Sequence, residues 1–586
     1  MDRRVELKLA GCVRAPRRAL LLTVVALAAT VSGCAPAAPA GPRTDPAPGA
    51  SPPAAQSGPK TLILAQDREI DGITRTGRTA PEVTHTASAG YAAKNSETLE
   101  SVPWMAEELP SLDKGTWRLN DDGTMVTTWR LRPNIKWHDG TPFSTRDSVF
   151  GWEVNQDPQV PENNRRPGDL MAQLETPDDR TLVIHWKNRY PQAGALLASE
   201  FRPLPRHILE PVYRAGDYNV FNNNPYWSTE FVHLGPFKVA RFEIGSHVEF
   251  LAHDEYFLGR PKVDRIIFRI IPDPNTALAN VLANEVDVIL GAALSVEGGI
   301  VADRDWASRG DGTVKFTPLN WTWVNPSGTN PIFGWEAPNH NRIRQAMLHS
   351  INRQDLVDTL FHGKEQVIHF PLSPGRRQFQ AADAVATKYA YDPRRAEQLF
   401  AEAGWRKGAD GILVNERGER FSTQFRSSAG ENELLAAVAA YLKEAGIETQ
   451  QLVLSDTQDN SREYRNRWPG LYLGRFNLVV ESWFDRFHLS RAPNEANDWR
   501  QFGVPLWPDP AKDRILEDLN NTIDPRQIDQ LMVEFVRLYT RDLPHLPIKF
   551  NAEVTTYRNY VKNVPVRYES GGNGVRVWNI HLWEKV

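Results

Sequence analysis

Cysteine is nearly absent from this 586-residue chain: Cys12 and Cys34 are the only two, and both fall within the first 34 residues. A disulfide-built scaffold is therefore excluded, as are thiolate metal sites and a cysteine nucleophile anywhere beyond residue 34. An excess of charge of one sign is also missing. Lys and Arg number 68 against 72 Asp and Glu, a formal net charge of −4, so no global basic field draws the chain to nucleic acid. No apolar run reaches the ~20 residues that a membrane-spanning helix needs. Catalytic signatures are lacking as well: there is no GxSxG elbow, no phosphate loop ending in Lys-Ser/Thr, and no GxGxxG, HExxH or CxxC. What is present is an ordinary globular balance, 41% hydrophobic and 24% charged, with 18 tryptophans. That balance excludes wholesale disorder and a polytopic membrane protein, and the length allows three or four domain-sized units.

The N-terminus reads as an address. Arg3, Arg4, Lys8, Arg14, Arg17 and Arg18 form a basic region, and Ala19 to Ala29 is an apolar run of eleven. That run suits the core of a signal peptide. It ends in Val31-Ser32-Gly33-Cys34, which resembles the bacterial lipobox, where the cysteine thiol is diacylated before cleavage. On this reading residues 1–33 are a lipoprotein signal peptide and Cys34 carries the lipid. Cleavage removes six basic and two acidic residues and takes the formal charge from −4 to −8. Residues 35–59 hold eight prolines and almost no apolar bulk. The stretch 34–59 is expected to be a lipid-anchored tether, able to reach ~75 Å in polyproline II.

From residue 60 the chain alternates strand and helix patterns. Leu62 to Ala65 reads as a strand. Residues 116–132 read as a hairpin turning at Asp122-Gly123, because glycine accepts the positive φ of a tight turn. Strands are expected over 181–187, 266–271, 286–290, 447–454 and, fully buried, Phe476 to Val480. Asp273-Pro274, Asp392-Pro393, Asp509-Pro510 and Asp524-Pro525 each open a helix: the Asp caps free N–H groups, and Pro at the first helical position loses no hydrogen bond. Leu434, Leu435, Val438, Ala439 and Leu442 form one more helical stripe. The pattern is α/β with short connections.

The segment Leu131-Arg132-Pro133-Asn134-Ile135-Lys136-Trp137-His138-Asp139-Gly140-Thr141-Pro142-Phe143, continuing to Asp147-Ser148-Val149, resembles the signature of the family 5 extracellular solute-binding proteins, the oligopeptide, dipeptide and nickel receptors of ABC importers. Further pieces follow in the family's order. They are Gly235-Pro236-Phe237, Asp254-Glu255-Tyr256-Phe257, Pro261-Lys262-Val263-Asp264, Asn284-Glu285-Val286-Asp287, Arg342-Ile343-Arg344-Gln345-Ala346, Tyr391-Asp392-Pro393 and Leu543-Pro544-His545-Leu546-Pro547. The resemblance covers about 60–586. It implies a two-lobed periplasmic-binding-protein-like α/β fold with an additional α/β domain on lobe one. Lobe one would be discontinuous, over 60–100, 228–325 and 543–586. The extra domain would be 101–227, and lobe two 326–542. The crossings between lobes are expected near Asn320–Asn325 and Leu543–Ile548.

His138-Asp139-Gly140 reads as a turn with an exposed histidine rather than a metal or acid–base site. Two aromatic clusters are ligand candidates. Trp321 and Trp323 sit at the expected first crossing, facing the same side of a strand, with packing inside lobe one as the equal alternative. Glu481-Ser482-Trp483-Phe484-Asp485-Arg486-Phe487 follows a strand that should emerge at the cleft, and open α/β sheets bind ligands at strand carboxyl ends. Trp321, Trp323, Trp483 and Phe487 are expected as walls, so that removing Trp483 would weaken binding with little loss of fold. Glu481, Asp485 and Arg486 are the polar candidates. In peptide-binding relatives this region reads Trp-x-x-Asp and its Asp pairs with the ligand α-ammonium; here Trp483-Phe484-Asp485 is one residue shorter.

The resemblance thus implies a non-catalytic, lipid-anchored receptor on the extracytoplasmic face of the membrane. It would be a monomer, take a peptide-like solute between its lobes and deliver it to ABC permease and ATPase subunits, with no cofactor, metal or nucleic acid. A sugar oligomer, a metal chelate and a sensor role without import stay open at this level.

Overall fold

The computed structural model describes residues 58–586, apart from 71, 74–79, 163–164, 292, 429, 500–505 and 570–575. The expected signal peptide, Cys34 and most of the expected tether lie outside the described residues.

Two long strands, Gly312–Pro326 and Leu546–Arg558, pair antiparallel along their length and form the spine of an eleven-stranded sheet. Residues 312–318 pair with 552–558, and the far end of Leu546–Arg558 continues through Val288–Ile289 to Thr61–Gln66, Arg265–Ile270, His247–Ala252 and Phe237–Glu243. Residues 320–324 stay paired with 546–551, and on their other edge residues 320–326 pair with Leu471–Asn477, which leads to Ser422–Ser427 and Glu448–Val453. That second pairing begins at an irregularity between Pro318 and Asn320, where Leu319 is the extra residue and Ala552 and Asn551 lie opposite. An extra residue on one strand breaks the ladder locally and bends it. Each spine strand thus runs through both bodies, with 312–318 and 552–558 lying in the first. By pairing alone, residues 320–326 and 546–551 go with the second.

Each body has its own core. In the first, Leu62, Leu64, Phe237, Phe250, Ile266 and Phe268 pack from the sheet. Thr61–Gln66 lies parallel between Arg265–Ile270 and Val288–Ile289, and Leu62, Leu64 and Ala65 in it are fully buried, as expected for a parallel strand covered on both faces. The second body is built on Ile343, Leu348, Leu399, Phe400, Phe425, Leu434, Val438 and Leu473. A separate four-stranded sheet, ordered Trp117–Leu119, Met125–Arg130, Thr181–Trp186 and Met171–Asp178, carries a third core around Trp129, Trp137 and Trp186. This is the two-lobed α/β fold with an extra α/β unit.

The helix starts follow the local chemistry. Asp273, Asp392, Asp509 and Asp524 each accept a backbone N–H of the first turn, from Thr276, Arg395, Ala511 and Lys512, and Arg526 respectively. The hairpin turns at Gly123, with φ +86°. Two expectations shift. The buried strand placed at Phe476–Val480 lies earlier, at Leu471–Asn477, because Leu471, Tyr472 and Leu473 are the residues that seat against the spine. His138 is in the expected turn, with Gly140 at φ +89°, but it is buried rather than exposed. Its Nδ1 accepts the His233 N–H at 3.2 Å, which leaves Nε2 to donate to the Gly235 carbonyl at 3.1 Å. Burial, followed by the charge of His253, pulls its pKa down to about 3, so the ring is neutral.

Candidate functional site

Beyond Asn477 the chain crosses a short turn and enters the helix Trp483–Phe487. Residues four apart share a helix face. Trp483 and Phe487 point inward together. The Trp483 ring stacks on Phe535 at 4.4 Å between centroids, and Phe487 lies 5.3 Å from the same ring. Trp321 and Trp323 join this cluster around His545, at 5.5 and 4.8 Å. All four aromatics are 0–2% exposed. This corrects the wall assignment: the four rings are packed in a buried cluster with Trp507, Leu516, Phe535 and Tyr539, which cover them from the cleft.

The opposite face of that helix meets open space between the lobes. A cavity of about 460 Å³ is lined on one side by Lys94 and by Arg189, Tyr190 and Gln192 of the extra unit attached to the first lobe, and on the other by Glu481, Phe484 and Asp485. Phe484, not Trp483, is the aromatic that faces it. Asp485 pairs with Arg491 at 3.2 Å. Arg486 does not line the cavity; its guanidinium lies 4.2 Å over the Phe476 ring and its Nε donates to Ser482 Oγ at 3.1 Å. Glu481 is held by two cations, Lys94 at 3.3 Å and Arg376 at 2.8 Å. Burial raises its pKa, but the Arg376 and Lys94 charges outweigh this and hold the carboxyl well below its ordinary 4.5.

A second cavity, about 730 Å³, lies against the spine. Asn320 and Asn551 line its floor, with Asp67 and Glu82 from the first lobe and Glu431 and Lys549 from the second. Several of the charges in its walls are internally paired. Arg567 joins Glu82 at 3.0 Å and Glu553 at 2.5 Å, and Lys549 joins Glu365 at 2.5 Å. Burial raises the Glu82 pKa, but Arg567 and Arg576 bring it below its ordinary value. In Glu365 burial prevails over Lys549 and the pKa is raised. Both cavities are thus polar, and both draw residues from the two lobes, the arrangement in which a bound molecule is touched from each side.

Glu481 and Asp485, expected from the sequence, line the first cavity, whereas Lys94, Arg376, Glu569 and Arg567 carry no sequence signal of their place in these charged clusters. These come from segments distant in the chain, and none belongs to a motif; only the fold brings them together. Among the described residues no group of three His, Cys, Asp or Glu is placed to hold a metal ion, and no helix is long and apolar enough to cross a membrane.

Two outcomes follow. Trp483→Ala, which empties a filled core position, lowers unfolding free energy by about 3–5 kcal/mol in chemical denaturation. A depressed carboxylate adds stability that is present above its unfolded pKa and lost as pH falls toward its folded value. The melting temperature of wild type should therefore exceed that of Glu481→Gln at pH 7, with the gap closing as pH drops below 4.5.

The family model of bacterial extracellular solute-binding proteins, family 5 middle, matches residues 100–491. The chain is 23% identical to the oligopeptide-binding protein AppA of Bacillus subtilis over 473 residues, 78% of this chain and 79% of that one. Five Brucella proteins, 29% identical, are matched over 63% of their own length. The solved structure of the oligopeptide-binding protein AppA from Bacillus subtilis in complex with a nonapeptide superposes with a TM-score of 0.64 at 19% identity, covering 90% of this chain and 100% of that one. NikA from Brucella suis in complex with Fe(III)-EDTA gives 0.69 at 17% identity, again over 90% and 100%. With two lobes, a continuous spine and a match across most of its length, the chain belongs to the family 5 bacterial extracellular solute-binding proteins.

Proposed function

We propose that this protein is the extracytoplasmic receptor of an ABC importer, capturing a peptide-like solute between its lobes and delivering it, unaltered, to permease and ATPase subunits. The observation that carries the reading is the pair of polar cavities lined jointly by the two lobes, in a chain whose family consists of substrate-binding receptors. Peptide as the solute class is supported by the oligopeptide-binding relative that matches over 78% of this chain. A ligand touched by both lobes favours the closed arrangement, because only that arrangement offers both sets of contacts. The polar linings orient the solute, and Tyr190 and Phe484 supply apolar contact.

Membrane attachment rests on Cys34. A diacylated cysteine with the proline-rich stretch 34–59 behind it would hold a monomeric body outside the membrane at a distance that lets it meet its permease.

Native mass spectrometry of the protein purified from its own host is the direct test. A bound mass that fragments as a peptide is the expected result; a sugar oligomer or metal chelate in its place overturns the peptide assignment, and turnover of the bound molecule overturns the receptor reading. Cys34→Ala should move the protein from the membrane to the soluble fraction on cell fractionation; retention of the variant on membranes counts against the lipid anchor.

A further inference from the structure

Four charged side chains meet where the lobes face each other. Lys94 Nζ lies 3.2 Å from Glu569 Oε2 and 3.3 Å from Glu481 Oε1. Arg376 reaches Glu569 Oε1 through Nε at 2.7 Å and Glu481 Oε2 through Nη2 at 2.8 Å. The contacts close a ring in which cation and anion alternate. Lys94, the last residue of the strand Ala92–Lys94, and Glu569 lie on the side of the first lobe and its extra unit. Arg376 and Glu481 come from segments packed on the second-lobe core. Each lobe therefore supplies one cation and one anion, already paired within that lobe.

We infer that this ring is a reversible electrostatic clasp that holds the two lobes closed and sets how readily the receptor opens. The inference rests on the receptor reading only for its purpose. Its physical argument is the bookkeeping of charge on separation. Breaking a buried ion pair is strongly unfavourable when it strands a charge. Here, parting the lobes breaks Lys94–Glu481 and Arg376–Glu569 but leaves Lys94–Glu569 in one lobe and Arg376–Glu481 in the other. No charge is stranded, so the clasp can open and close without the penalty that would make it a permanent lock. Burial makes the closed contacts count: Lys94 and Glu569 side chains are 6% and 2% exposed, and Arg376 is 13% exposed. The backbone around Arg376 seats on the first lobe too. Ser373 Oγ donates to the Tyr568 carbonyl at 2.8 Å, and a Cβ added at Gly375 would lie 2.7 Å from the Glu97 carbonyl oxygen.

Small-angle scattering of the full chain, shown by native mass spectrometry to carry no solute, tests this. The double variant K94E/E569K keeps an opposite-charge pair inside the first lobe but turns both cross-lobe contacts into like-charge ones. It should shift the radius of gyration upward. Adding R376E/E481R reverses the second lobe as well, restores both cross-lobe attractions and should return the radius to the wild-type value. Raising salt to 1 M, where the Debye length falls to about 3 Å, should move wild type toward the open value. If K94E/E569K does not fold, R376E/E481R alone makes the same prediction. An unchanged radius in the folded double variant, or a folded quadruple variant that stays expanded, overturns the clasp. A clasp that responds in a protein never found with solute would leave the clasp standing and the receptor reading fallen; bound solute with an unresponsive radius would mean the reverse.

Discussion

Everything in this molecule is referred to the antiparallel pairing of Gly312–Pro326 with Leu546–Arg558. Backbone hydrogen bonds between two neighbouring strands satisfy groups that could not otherwise be buried at the junction of two cores. Because each strand then serves a different sheet neighbour on either side of Leu319, one ladder belongs to both lobes at once. The lobes are separate in their apolar clusters and continuous in their backbone. That combination leaves a gap between them whose floor is main chain and whose walls are side chains.

The walls are filled chiefly with charge. Several of the charged groups facing the gap carry an internal counter-charge: Arg567 sits between Glu82 and Glu553, Lys549 on Glu365, Arg475 on Glu431 at 2.9 Å. Charges taken partly out of water are tolerable only when paired in good geometry. A surface of matched pairs is polar enough to be wetted when open and neutral enough to be covered when closed, which is the requirement on a surface that alternates between the two.

Much of the fold was legible in the sequence because its rules are local. The Asp-Pro helix starts and the Asp-Gly hairpin turn depend on two or three adjacent residues, and all appear where those residues stand. The ordered family motifs gave the lobes. The site was legible only in part. Glu481 and Asp485 could be located because they follow the end of a strand, but Trp483 and Phe487 were read as wall when they are core. The periodicity of a five-residue helix decides which of two adjacent aromatics, Trp483 or Phe484, turns outward, and so short a segment carries too little pattern to reveal its phase. Lys94, Arg376 and Glu569 are hundreds of residues apart in sequence, and no local rule connects them.

The irregularity at Leu319 also fixes a geometry of movement. If the bodies swing about the point where the ladder is bent, displacement grows with distance from it, as along a lever arm. Asn320 and Asn551 sit at the pivot and would hardly travel, so they can keep hold of an invariant portion of a guest throughout the swing. Side chains set farther from the bend along either body would travel more, so bulk there, rather than chemistry at the pivot, would decide how large a molecule the jaws can shut upon.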